Sequence, residues 1–541
     1  MQDSMGKNLL LTVLTLLGVL FGPASATQRG PLANDGKSGL YTRSIDDVLR
    51  LSDDQVDLAT AALIVSEHWS DMVAGRKYLA TLDEMAMEIR ERLRRLKLRP
   101  NQKAIPVINN YLFEELGFAP ITEADDPNDL FLHSVLDKKR GYCLSLSVLY
   151  LAIGERLGMP LYGVVVPGHF FVRYQSGQVR FNIETTSKGA IVSDEHYIHK
   201  FKVPEAEADN VYMKNLTKTQ TLGCFFNNLG SVYNNIGNLQ MAQLALERAV
   251  QINPTLSEPR ANLGNIYLKM GRVDDAIRQY QTALQTNSKD PNNHYNLGNA
   301  YLEKGWLNYA VSEYRQSLEL DPNIVDAYKN LATVYCKQQR YTEALSQLRQ
   351  ALALAPANPG VYKQFGEVYY QAGNYEQALA EFQKAISIKP DLADASCGLG
   401  ACYNKLGMVE QEIEAYKKAL TVKPDMLLAL MNLGNAYFVR KDYDAAIEQY
   451  NKAVKVKPND SRIYYNIGSA YSNKGNFEQA VTAYSKAVEI DAKMGDAHYG
   501  LAYGFCMLKK YDLAWKHINI AGDLGVQVSK ELFEAIKNKL Q

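Results

Sequence analysis

The sequence predicts an α+β domain followed by an all-α array of paired helices, and two observations predict it. Small residues recur at steps of 34 positions from Gly230 to Ala502, which marks a helical repeat. Residues 143 to 184 pass from helical spacing to a period of two, which marks a helix laid on a β-hairpin. At 541 residues the chain is also too long for one hydrophobic core.

The N-terminal segment reads as a targeting signal rather than as part of the fold. Lys7 precedes an uncharged apolar run from Leu9 to Phe21, and Ala24, Ser25 and Ala26 follow. That order predicts a secretory signal over residues 1–26, cleaved after Ala26, and an exported protein, periplasmic or extracellular. The run is short for a bilayer, so no integral membrane span is expected. Lys plus Arg equals Asp plus Glu at 59 each, so nothing in the net charge invites nucleic acid. The basic stretch "RERLRRLKLR", residues 90–99, reads as a solvated helix face beside an apolar stripe of Ile89, Leu93 and Leu96. Of six cysteines only Cys143 precedes residue 224, so its domain cannot hold an internal disulfide. No metal-ligand spacing is present, and no metal or cofactor is expected; His196 and His199, after Asp194 and Glu195, read as a surface loop.

Residues 41–210 form the first domain. Three helical stretches (56–69, 77–96 and 104–118) lead to a turn-rich segment at 122–130. Gly141 then breaks the chain, Leu146, Leu149, Tyr150, Ile153 and Leu157 give helical spacing, and Gly158 with Pro160 ends that helix. Cys143 therefore sits in its first turn, where free N–H groups and the helix dipole favour a thiolate. Beyond Pro160, residues 169–174 and 179–184 alternate as strands. A two-residue turn at Ser176-Gly177 places Phe170, Val172, Tyr174, Val179, Phe181 and Ile183 on one apolar face. It also sets His169 directly opposite Glu184, and Arg173 opposite Arg180. A thiol at a helix start, an imidazole and a carboxylate are the parts of an activated nucleophile. Two readings stay open beside this one: Cys143 as a small buried residue, and Asn182 rather than Glu184 as the group that orients the imidazole.

Gly141, Cys143, the helix end from Arg156 to Pro160, His169, and the segment Glu184, Thr185, Thr186 resemble the transglutaminase-like superfamily, a branch of the papain-like cysteine enzymes. The stretches 126–164 and 167–173, with the helices before them, resemble its SirB-type group most closely. The resemblance implies a papain-like core with Cys143, His169 and Glu184 in the catalytic positions. Members of that group do not all carry the cysteine, so an active acyl-transfer enzyme and an inactive domain serving as a scaffold both remain open.

From about residue 223 to 528 the repeat takes over. Tyr recurs three residues after each small residue, from Tyr233 to Tyr471, and Pro254, Pro322, Pro356, Pro390, Pro424 and Pro458 end successive units. Small residues let antiparallel helices approach closely, aromatics fill the space between them, and Pro stops the second helix. The pattern resembles nine tetratricopeptide repeats, so the fold class as a whole is an α+β papain/transglutaminase-like domain followed by an all-α tetratricopeptide-repeat solenoid. Residues 529–541 read as a capping helix with Leu532, Phe533, Ile536 and Leu540 inward. Asn precedes the small residue by two positions at Asn228, Asn262, Asn296, Asn330, Asn432 and Asn466. A similar asparagine ladder lines the repeats of O-linked N-acetylglucosamine transferases, which implies a protein or peptide ligand held by its backbone along the concave face. Satisfying neighbouring helices is the alternative use of those amides.

Overall fold

The structure, a computed structural model, describes residues 32–33, 41–42, 44–69, 73–121, 126–203 and 212–540. The expected secretory signal, residues 1–26, lies outside them. The chain divides into two compact units, residues 1–300 and 301–541.

The first unit begins with α1 (Ile45–Leu49), capped by the Ser44 side chain, and α2 (Leu58–Trp69), which is apolar on all sides and buried. α3 (Gly75–Arg95) is amphipathic and buries Leu82, Met85, Ala86, Ile89 and Leu93. Its basic end is solvated as expected: Arg94 and Arg95 pair with Glu91 at the surface. Leu96 departs from the expected stripe and is exposed, because α3 stops at Arg95 and Leu96 is only its C-cap. α4 (Ile105–Asn109) continues into a single π-helical turn over Asn110–Glu115. α5 (Leu132–Lys138) then leads to α6 (Cys143–Leu157), which Gly158 ends in a left-handed C-cap.

α6 packs on an antiparallel meander of β1 (Leu161–Val166), β2 (His169–Ser176), β3 (Val179–Glu184) and β4 (Ala190–Val192). The β2–β3 register corrects the sequence reading by two residues. Gly177 and Gln178 form the turn, Ser176 pairs with Val179, and Arg173 faces Asn182 rather than Arg180. Gly177 takes φ +58 at the first central position, where a type II′ turn wants glycine. A shift of two preserves the alternation, so the six apolar residues keep their common face. α7 (Asp194–Lys200) follows, capped by Ser193, so the two expected loop histidines, His196 and His199, are exposed on a short helix instead.

The first repeat helix, α8 (Lys218–Asn235), docks on this domain. Its Lys218 Nζ bonds to Glu155 and to the Val56 carbonyl, while Asp53 accepts from the Lys218 backbone N–H at 2.7 Å. Trp69 packs against Phe226 and Tyr233 at centroid distances of 6.0 and 5.9 Å. Phe131 meets Phe225 at 5.8 Å, and Leu216 N–H donates to the Gly163 carbonyl. Ring contacts of this kind are worth roughly 0.5–1.5 kcal/mol each beyond area burial, so the domain and first repeat pack as one body.

Helices continue in pairs to Tyr511–Asp523. Within each pair the small residue of the first helix faces a side chain sixteen positions on, which the sequence reading did not single out. A Cβ on Gly264 would lie 2.6 Å from the Tyr280 ring, and one on Gly434 2.4 Å from Tyr450. Gly366 meets Phe382, Gly400 meets Tyr416 and Gly468 meets Tyr484 in the same way. Gly to Ala in a helix interior normally gains about 1 kcal/mol. Here the ring is buried and anchored, Tyr450 by a 2.8 Å bond to Asn435 Oδ1, so overpacking of about 1–3 kcal/mol wins. The last helix, Lys530–Leu540, buries Ile536 and packs Leu532 and Phe533 on the array. Leu540 is exposed, because it lies in the final turn past that contact.

Candidate active site

Cys143 is the first residue of α6, half-buried, with no disulfide partner. The helix start is fixed from within: Ser145 Oγ accepts the Tyr142 backbone N–H at 2.8 Å, and Ser147 Oγ bonds Thr185 Oγ1 at 3.0 Å across to the end of β3. Both serines are buried, so their hydroxyls are committed to these partners.

His169 opens β2. Its Nε2 lies 2.7 Å from Glu184 Oε2, and since an ionised carboxylate only accepts, Nε2 is the donor. The contact is diagonal on one sheet face, two positions from the directly opposed pair, and the long Glu side chain spans it. Nδ1 is left for the thiol. Burial alone would depress the imidazole pKa; its hydrogen bonds to Cys143 and Glu184 outweigh that and hold it at about 9. The ring is also clamped, stacked on Phe201 at 4.7 Å and 5°, and near Tyr197 at 6.0 Å.

Glu184 is saturated with donors. Oε2 accepts from His169 and from Tyr197 OH at 2.9 Å, and Oε1 from the Thr186 backbone N–H at 3.0 Å and the Thr186 hydroxyl. Burial would raise its pKa, but His169 and then Thr186 pull it down to about 2. Asn182, the alternative orienting group, points elsewhere: it accepts from Arg173 Nε at 2.8 Å and donates to Asp194 Oδ1 at 2.6 Å. Arg173 is 1% exposed and also bonds Asp194 Oδ1 and the Met213 carbonyl. Arg180 pairs with Asp194 Oδ2 at the surface. Tyr197 and Phe201 escaped the sequence reading because α7 is too short to show periodicity; only the Ser193 cap signalled it.

Cys143 and His169 open on a small cleft of about 100 Å³, and the repeats supply part of its wall. Leu144, Val165, Val166, Gly168 and Phe170 line it from the domain; Cys224, Asn227 and Asn228 from the first repeat; Leu256, Glu258 and Pro259 from the second. One ladder residue, Asn228, is thus at the cleft itself. In the first unit Asn262 Nδ2 donates to Asn227 Oδ1 at 2.9 Å, a bond between adjacent repeats. In the second unit Asn466 Nδ2 reaches Asn435 Oδ1 at 3.3 Å, and Gln364 Nε2 reaches Thr333 Oγ1 at 3.3 Å. Asn228, Asn262, Asn296, Asn330, Asn432 and Asn466 are all half-buried. Among the described residues no helix is long and apolar enough to cross a membrane.

Comparison with known proteins agrees with this division. Residues 76–224 match the transglutaminase-like superfamily. Tetratricopeptide-repeat models match from 225 to 426 and from 434 to 494 in overlapping segments. A UPF0162 protein of Xylella fastidiosa strain 9a5c is 26% identical over 208 residues, 37% of this chain and 73% of that protein. F-box only protein 21 of Mus musculus is 32% identical over 84 residues, 15% of this chain and 13% of that one. A tetratricopeptide repeat protein from Parabacteroides merdae aligns over 46% of this chain and 98% of its own at 19% identity, with a TM-score of 0.40.

The two shifted groups set a pH window for stability. His169, raised from 6.5 to about 9, stabilises the fold fully below 6.5 and loses that contribution as pH rises through 9. Glu184, lowered from 4.5 to about 2, stabilises fully above 4.5 and loses its contribution as pH falls towards 2. Chemical denaturation of the wild type and of Glu184→Gln should therefore differ most between pH 4.5 and 6.5. A difference that is flat from pH 3 to 10 would refute the pairing.

Proposed function

We propose that this chain, a transglutaminase-like domain joined to tetratricopeptide repeats, is an exported cysteine-dependent acyl-transfer enzyme whose repeats hold a protein or peptide substrate. The observation that carries the reading is the His169 imidazole held between Cys143 and Glu184. Cys143 Sγ attacks an amide or ester carbonyl carbon, and the first-turn N–H groups of α6 stabilise the charge on oxygen. His169 then protonates the leaving amine or alcohol as the carbon–heteroatom bond breaks, leaving a thioester. Water, or a second amine, gives its proton to His169 and displaces the thiol, which yields hydrolysis or transfer. Glu184 holds the imidazole and touches no substrate.

The other cysteines provide a built-in control. Burial pushes Cys224 and Cys402 up to about 12 and Cys397 up to about 11, and it raises Cys336 and Cys506 as well. Reduced protein treated with iodoacetamide at mildly acidic pH should label Cys143 at least about tenfold faster than the rest, one pKa unit being a factor of ten in thiolate. His169→Ala should slow the reaction, and Glu184→Ala should slow it less. Peptide mass spectrometry showing Cys143 no faster than Cys336 or Cys506 would leave a scaffold with an inactive domain as the function.

The peptide-binding part of the reading is supported by the half-buried asparagine row and by Asn228 at the cleft. Changing Asn262, Asn296 and Asn330 together to Ala should cut retention of extended library peptides about tenfold while helical circular dichroism is unchanged. Unaltered retention would assign those amides to repeat packing alone. Export is supported by the charge, apolar run and small residues of positions 7–26. Sequencing of the native protein should begin near Thr27; an intact Met1 on a cytoplasmic protein would contradict it.

A further inference from the structure

The second repeat places an acid in the cleft that the triad does not use. Glu258 stands in the first turn of the helix Ser257–Lys269 and lines the same cleft as Cys143 and His169. Its Oε1 accepts from Tyr212 OH. Its Oε2 is buried with no hydrogen-bond partner among the described residues. Leaving such an oxygen unsatisfied costs roughly 1–3 kcal/mol, and more when it is charged, so the position is explained by a partner that arrives with the ligand.

The surroundings restrict what that partner is. Among the described residues no Lys or Arg lines the cleft, and His169, the one basic residue among them, is already committed to Glu184 and Cys143. Burial pushes the Glu258 carboxyl above its usual range and outweighs the bonds from Tyr212 and its own backbone N–H, so the protein compensates its charge only in part. An arriving cation would supply it. Only one carboxylate oxygen lacks a hydrogen-bond partner, since Tyr212 holds the other, which fits the compact charge of an ammonium better than the two-pronged fork of a guanidinium.

We propose that Glu258 is the specificity residue of the cleft and binds a primary ammonium group of the substrate, so that the substrate is a peptide or amine carrying such a group beside the reacting carbonyl. This deepens the acyl-transfer reading of Cys143 and rests on it.

Three haloacetyl probes of different charge test it on the full chain: N-(2-aminoethyl)iodoacetamide, iodoacetamide and iodoacetate. Each rate at Cys143 is divided by the same probe's rate with 2-mercaptoethanol, which removes intrinsic reactivity. The wild type should favour the cationic probe over the neutral one by about tenfold and disfavour the anionic one. Glu258→Gln should bring the ratio of the cationic to the neutral normalised rate down to about one. Equal normalised rates for all three probes on the wild type would overturn the Glu258 assignment alone and leave the nucleophile standing, and that comparison needs no variant to fold. A Cys143 unreactive towards every probe would overturn the acyl-transfer reading and this proposal with it.

Discussion

The site depends on one buried cation. Arg173 sits at the middle of β2 with its guanidinium out of solvent, and three elements meet on it: Asn182 of β3, Asp194 at the start of α7, and the carbonyl of Met213 on the way to the first repeat. A buried charge is tolerable only when its donors are matched, and removing one partner typically costs about 3–5 kcal/mol. Arg173 is therefore costly to disturb and well suited to fix positions. By holding α7 it places Tyr197 on Glu184, which holds His169. By holding residue 213 it places Tyr212 against Glu258. The imidazole and the second-repeat acid thus trace back to the same guanidinium, although neither touches it.

Much of this architecture was legible, and the departures have identifiable causes. The repeat was legible because each helix pair buries the same face, so the same positions must be small or apolar. Cys143 at a helix start was legible from Gly141 before it and Gly158 after the helix. The hairpin register was read two residues off because Ser176-Gly177 and Gly177-Gln178 both offer glycine to a two-residue turn. Apolar alternation cannot separate registers that differ by two. His169 still meets Glu184, since a diagonal contact is within a glutamate's reach. Arg173 was read as one of a facing arginine pair; its true partners come from residues 194 and 213, too distant in sequence for local pattern to connect. The cleft wall was hidden for the same reason, because it requires the tertiary docking of α8.

That docking changes what the domain boundary means. Lys218, Phe225 and Phe226 belong to the helix of the first repeat, yet they pack on residues of the first domain. Cys224, Asn227 and Glu258 lie beyond the last strand of the domain and still form one side of its cleft. Cys143 and His169 reside in one segment of the sequence and part of the cleft wall beside them in another. Cutting the chain near residue 210 would remove that wall and, with it, the Met213 carbonyl that Arg173 binds.

The packing of glycine against a ring, found at Gly264, Gly366, Gly400, Gly434 and Gly468, leaves a record in the chain. Where the first helix carries Ala instead, at Ala332 and Ala502, the residue sixteen positions on is no longer aromatic: it is Leu348 in one case and Ile518 in the other, both fully enclosed. A methyl gained on one helix is matched by a ring lost from the other. Apart from the first repeat, where Gly230 faces Leu246, these pairs keep a nearly constant volume, so a change at either position is conditional on its counterpart. Comparing one repeat with the next reveals that dependence without any second protein, and it marks the two positions that a designer must exchange together.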